Sequence, residues 1–347
     1  MKRINKIAIW ILLILFAIFI SCSIAIALYG KRIVVNLIEQ NLKMKASLGG
    51  ISLGLPFSIN LTNLEVGNLL KADTISVSLN RLTLINAVIN LEQSQDGTLN
   101  LPRFKQKNKV APVFLTGLAI KNGELIFTDK KVNPEGYRII VGKINAYISK
   151  VMLPPTSLNT KFKLSATLMD SDARVLGSAD TSGWIDFGPK NMDATLHIKD
   201  LDITYFHPYY GNFISDKKLL SARLNLTSIL KAENNDLTIT SDFKLSDLVY
   251  AKQEQPKEAE LPKFDLLKNT LELFTDARGN LSLDFTINTK LDNPGINISE
   301  LKRVVLNSAI KNLSNQPPEA LIEKVTNTLE QFKDFGKELK NIFKKKE

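Results

Sequence analysis

Polar chemistry has few residues to draw on in this chain, which holds two histidines and a single cysteine. His197 falls on the polar side of an alternating stretch, and His207 stands beside Pro208. Both read as solvated or structural side chains rather than as metal ligands or general bases. There is no cysteine pair, no His-Glu-x-x-His and no glycine-rich phosphate loop. Asp170 and Asp172, in Met169-Asp170-Ser171-Asp172, set two carboxylates at a turn. Such a pair suits a hard cation, but two carboxylates at a turn are more commonly solvated. Asn60-Leu61-Thr62, Asn225-Leu226-Thr227 and Asn297-Ile298-Ser299 match the glycosylation sequon. The sequence therefore predicts a protein that is not an enzyme and uses no metal or cofactor.

The elements around these residues start with residues 7–28, which carry no charge. As a helix they extend about 33 Å, enough to cross a bilayer core, whereas a cleaved signal peptide has an apolar region of about 7–15 residues. The reading is an uncleaved anchor that includes Ile7, Trp10, Phe16 and Leu28. Phe19-Ile20-Ser21-Cys22 faintly resembles a lipoprotein processing site, but residues 24–28 continue the apolar run, so Cys22 reads as an apolar residue within the span. Lys2, Arg3 and Lys6 precede the run and Lys31 and Arg32 follow it. The charges nearly balance, but the free amino terminus joins the first cluster and a six-residue arm stays inside more easily than a large domain. This predicts a cytoplasmic arm at 1–6, a transmembrane helix at 7–28 and a body outside the cytoplasm.

That body has no cysteine, so it relies on apolar burial and hydrogen-bonded secondary structure. The 45 basic and 35 acidic residues leave a net charge of +10. The lysines are spread along the chain without interleaved aromatics, which argues against nucleic acid and for a surface facing anionic headgroups.

Val34, Leu37, Ile38 and Leu42 have helical spacing, and the reading is a juxtamembrane helix over 29–50 that stops at Gly49-Gly50. From Ile51 the period changes to two. Ile75, Val77 and Leu79 alternate with polar residues, as do Phe162 and Leu164, Leu224 and Leu226, and Ile239 and Phe243. Antiparallel strands with one apolar and one solvated face have this pattern. Asp96-Gly97, Asn122-Gly123, Asn133-Pro134-Glu135-Gly136 and Asn234-Asn235-Asp236 read as turns. A loop at 252–263 and a short helix at 264–277 precede the cleanest strand, 281–291, with Leu281, Leu283, Phe285 and Ile287 on one face. Amphipathic helices close the chain over 296–347. The last carries Leu329, Phe332, Phe335 and Leu339 on a stripe suited to a membrane or a partner protein. The apolar strand faces need a cover. Either the sheet closes as a barrel or sandwich, or it curls into a trough whose floor lipid chains fill.

Several stretches resemble the AsmA-like family of inner-membrane-anchored bacterial envelope proteins, including its branch known as a domain of unknown function. Gln95-Asp96-Gly97-Thr98-Leu99-Asn100-Leu101 is similar to the family's strand entry, and residues 120–129 (IKNGELIFTD) to its hairpin. Residues 201–210 (LDITYFHPYY) resemble its segment ending in Pro-Tyr, with Tyr209 in the tyrosine position, and residues 261–294 its closing unit. The resemblance spans nearly the whole chain as a single module. It implies a mainly β fold: a transmembrane helix, an elongated, curled antiparallel β-groove over 51–295, and terminal helices. It further implies a single-pass inner-membrane protein with its body in the periplasm. The groove would bind or conduct phospholipid between inner and outer membranes, supporting outer-membrane biogenesis. The partners it implies are membrane lipid and, through the last helix, outer-membrane or periplasmic proteins. The rival reading is a periplasmic assembly scaffold that works through protein contacts.

Overall fold

A computed structural model describes residues 20–21, 24–54, 58–78, 81–101, 113–153, 159–210, 219–250 and 280–293. The expectations for Ile7, Trp10, Phe16, Leu79, the 252–263 loop, the 264–277 helix and the terminal helices with Leu329, Phe332, Phe335 and Leu339 lie outside these residues. Among the described residues no helix is long and apolar enough to cross a membrane. The chain divides into two compact units, Met1–Pro189 and Lys190–Glu347.

In the first unit a π-helical turn, Ile26–Gly30, runs into helix α1, Lys31–Leu42. Eight strands follow: β1 (Ala46–Gly54), β2 (Ser58–Val66), β3 (Leu70–Ser78), β4 (Arg81–Gln93), β5 (Val113–Asp129), β6 (Tyr137–Leu153), β7 (Asn159–Met169) and β8 (Val175–Asp186). Each pairs with its neighbour in sequence. Among the described residues β1 does not pair with β8, so this sheet is open. All pairs are antiparallel except β4 with β5, which is parallel, so the sheet is antiparallel with this one exception. A parallel pair cannot be joined by a tight hairpin.

The juxtamembrane helix is shorter than 29–50. Lys43 adopts a left-handed φ of 58° and its N–H caps Glu39 O. Glu39 Oε1 then accepts the N–H of Ala46 at 3.0 Å, where β1 has already begun. Gly49 and Gly50 sit inside β1. A Cβ on Gly49 would come within 3.0 Å of Thr62 O, so this glycine permits close approach of β2 and does not stop a helix.

Asn122-Gly123 is likewise no turn. It lies in the middle of β5, with Asn122 at φ 52°. It belongs to a row that crosses the sheet. Gly49 stands opposite Asn63, Asn63 opposite Asp73, Asp73 opposite Asn86, and Asn86 beside Asn122. Asn63, Asn86 and Asn122 are all left-handed, a conformation that asparagine tolerates better than most residues. At this row the side-chain alternation reverses. Inward positions change from Ile59 and Leu61 to Leu64 and Val66 in β2, and from Leu82 and Leu84 to Ala87 and Ile89 in β4. The apolar face is thereby kept on one side although its parity changes.

The other turns form where the sequence places them. Gly97 has φ 86°, and Gly136, at φ 96°, donates its N–H to Asn133 O at 2.7 Å. Asn234 and Asn235, at φ 49° and 78°, make the two-residue hairpin whose twist suits paired strands.

That hairpin belongs to the second unit, an antiparallel run of β9 (Asn191–Asp202), β10 (Leu219–Glu233), β11 (Asp236–Tyr250) and β12 (Leu281–Lys290). A 3-10 turn, Ile203–Phe206, and a short helix, His207–Tyr210, follow β9. Asp202 caps that turn, its side chain accepting from Thr204 N at 3.1 Å.

A candidate apolar groove

Cross-strand register places the apolar residues in rows. In the first unit one row reads Ile51, Leu61, Ile75, Leu84, Ile120, Ala146, Leu164. The next reads Leu53, Ile59, Val77, Leu82, Leu118, Ile148, Phe162. The floor residues Ile75, Val77, Phe162 and Leu164 therefore share a face. They are not equally covered: Ile75 is 8% exposed and Val77 38%. The difference lies in α1. Its Val34, Val35, Ile38 and Leu42 pack on a buried cluster of Leu48, Leu64, Val66, Ala72, Ile75 and Ala87. Phe162 and Leu164 remain half-buried.

The second unit repeats the arrangement. Its rows are Leu201, Leu224, Leu245, Leu281; Ile198, Leu226, Phe243, Leu283; Leu196, Ser228, Ser241, Phe285; and Ala194, Leu230, Ile239, Ile287. All of the proposed floor residues on β10, β11 and β12 thus lie on one face. Leu281, Leu283 and Ile287 are buried, while Leu224, Leu226, Ile239, Phe243 and Phe285 are half-buried. On β12 the alternate residues Ser282, Asp284, Thr286 and Asn288 are exposed. The period of two holds through the strand.

Sequence reading missed the serine rung. Ser228 and Ser241 are 4% and 3% exposed, and their Oγ atoms are 2.8 Å apart. The signal was the break at position 241 in the alternation Leu237, Ile239, Phe243, Leu245.

The opposite face of the second unit is polar. A cleft of about 280 Å³ there is lined by residues that include His197, Lys199, Asp200, Asn225, Thr227, Asp242 and Lys244. His197 is half-buried, its Nδ1 lying 3.2 Å from Thr227 Oγ1, and Lys244 Nζ bonds Asp242 Oδ2 at 2.8 Å. That hydrogen bond, helped by the carboxylate charge, raises the Lys244 ammonium above the usual lysine range.

Asp170, read as solvated, is buried instead. Oδ1 accepts the N–H groups of Asp172 and Arg174 at 3.0 and 2.9 Å, and Oδ2 accepts Arg174 Nε at 2.9 Å. Its oxygens close the turn between β7 and β8.

The helical run before the sheet has two apolar sides. Ile26, Gly30, Val34, Ile38 and Leu42, spaced by four, are partly buried, and a Cβ on Gly30 would meet Ile51 Cδ1 at 3.1 Å. Ile20, Ile24 and Leu28, then Tyr29, Ile33 and Leu37, are exposed, Leu28 at 68% and Leu37 at 53%. Leu37 therefore leaves the stripe to which its spacing assigned it. A comparison with protein-family models and with curated proteins finds no match to this chain.

Proposed function

We propose that the chain is a non-enzymatic, membrane-anchored envelope protein of AsmA-like kind, whose apolar sheet face binds or conducts lipid, with phospholipid as the ligand. The observation that carries this reading is the set of apolar cross-strand rows in each unit, many of whose side chains, Phe162, Leu164, Leu226, Ile239 and Phe243 among them, stay only half-buried. A packed core would bury them, and a solvated sheet would not keep them apolar. Lipid chains gain about 0.8 kcal/mol per CH₂ removed from water, so such a surface is a sink for acyl chains. The exposed stripe Ile24, Leu28, Tyr29, Ile33, Leu37 supports the anchor, because it extends the apolar character of the uncharged sequence 7–28 past its end. The inner membrane is the proposed site, with the body in the periplasm and passage of lipid between inner and outer membranes as its role.

The test is photo-crosslinking in the full chain. Probes at Phe162 and Ile239 should capture lipid, while probes at the exposed neighbours Lys163 and Thr240 should not. Equal labelling at all four positions, or none at any, overturns the groove.

A further inference from the structure

We propose that Ser228 and Ser241 form a hydrogen-bonding subsite in the groove floor that takes the carbonyl oxygen of an acyl ester. This rests on the lipid-groove reading and names the ligand class.

Each hydroxyl carries one hydrogen and can accept. The mutual bond at 2.8 Å uses one hydrogen, whichever serine donates. The second hydrogen has no acceptor among the described residues. The other buried polar side chains described are settled by the backbone. Thr160 Oγ1 donates to Lys150 O at 3.0 Å, Asp129 accepts the N–H groups of Lys131 and Val132, and Asp170 accepts those of Asp172 and Arg174. Only the serines pair with each other alone, and a buried donor left over favours an incoming acceptor.

The surroundings select the acceptor. The serine row lies between the row Ile198, Leu226, Phe243, Leu283 and the row Ala194, Leu230, Ile239, Ile287, with Leu196 and Phe285 at its ends. None of these residues is charged, so a phosphate or free carboxylate would shed its water without a counter-charge. A neutral carbonyl flanked by hydrocarbon fits. An acyl ester presents that combination, and an alkyl ether lacks the carbonyl.

The experiment offers the full-length protein, in detergent, an equimolar mixture of a diacyl phosphatidylglycerol and its dialkyl ether analogue of equal chain length. Native mass spectrometry reads the bound ratio. The expected preference for the diester is about threefold to tenfold, the worth of one neutral hydrogen bond. It should fall to parity in Ser228→Ala/Ser241→Ala and return in Ser228→Thr/Ser241→Ala, which restores one hydroxyl. Parity in the unmutated protein, or a preference surviving in the double alanine variant, overturns the subsite. Absence of both lipids from the unmutated protein sinks the groove reading itself, a separate outcome. Should the double variant fail to fold, infrared spectra of ¹³C-carbonyl diester on the unmutated protein decide. A carbonyl band at the frequency of the lipid in hydrocarbon solvent refutes the subsite, and a red-shifted band supports it.

Discussion

The side-chain amide of Asn122 donates to Asn86 Oδ1 at 2.9 Å across the parallel β4–β5 pair, from two residues that are both left-handed. Asn86 Nδ2 in turn donates to Asp73 Oδ2 at 2.9 Å, and Asn145 Oδ1 accepts the backbone N–H of Asn122 at 3.2 Å. Side-chain hydrogen bonds thus follow the row where the alternation reverses. Asn86 and Asn122 each combine a left-handed backbone with a side-chain partner. Asn122→Val puts a β-branched residue at positive φ and deletes the ladder bond. It should lower stability by about 1–3 kcal/mol, whereas Asn122→Gly, which keeps the conformation, should cost clearly less. Urea denaturation of the two variants gives the comparison.

The turn at Asp170 predicts an acid-sensitive contribution. Burial raises the carboxyl's pKa, but the hydrogen bonds from Arg174 and from the backbone N–H groups outweigh it and hold the group below its ordinary value of 3.8. A folded-state pKa below the unfolded one means that the unfolded chain binds the proton more readily. The stabilisation is therefore complete above the unfolded value and fades as pH falls through the folded one. Asp170→Asn should be less stable than the unmutated protein at pH 6, and the gap should narrow below about pH 4. Denaturation midpoints measured against pH test this, and a gap that does not change with pH contradicts it.

The face assignments were legible in the sequence wherever the period of two ran unbroken, as on β12, because burial of one face selects apolar residues at alternate positions. Gly49-Gly50 and Asn122-Gly123 misled for one reason. Tolerance of left-handed or crowded backbone serves a helix stop, a turn and a mid-strand reversal alike, and only cross-strand register distinguishes them. Leu37 was grouped with Val34 and Ile38 because helical spacing defines stripes but does not say which stripe meets the sheet. Ser241 sat in plain view as a polar gap in an apolar series, but its meaning depended on finding Ser228 opposite it.

The two apolar sides of the first helix should separate fold from membrane contact. Val34→Glu/Ile38→Glu drives charge into the cluster that includes Leu48 and Ala72, and should destabilise the first unit by on the order of 3 kcal/mol or more. Ile33→Glu/Leu37→Glu should leave the melting temperature nearly unchanged, since both side chains are exposed. It should weaken quenching of a fluorophore at position 29 by doxyl-labelled lipid in reconstituted vesicles. Unaltered quenching would place this stripe away from the bilayer.

The floor of the second unit allows a similar separation within one sheet. Leu283 is 4% exposed and belongs to the cluster of Leu245 and Leu281 against which Ile203, Leu224, Phe243, Leu248 and Phe285 pack. Its replacement by aspartate leaves a carboxylate without water or a counter-charge, so Leu283→Asp should lose on the order of 3 kcal/mol or more. Ile239 is half-buried on the same face, where water reaches part of the side chain. Ile239→Asp should therefore fold with a smaller loss, while a charge on the floor displaces acyl chains that each methylene otherwise holds by about 0.8 kcal/mol. Ser282→Asp, on the exposed face of β12, should resemble the unmutated protein in both respects. The measurements are thermal melts and the lipid retained through purification. If Ile239→Asp retains as much lipid as Ser282→Asp, the half-buried rows do not form the lipid-binding surface.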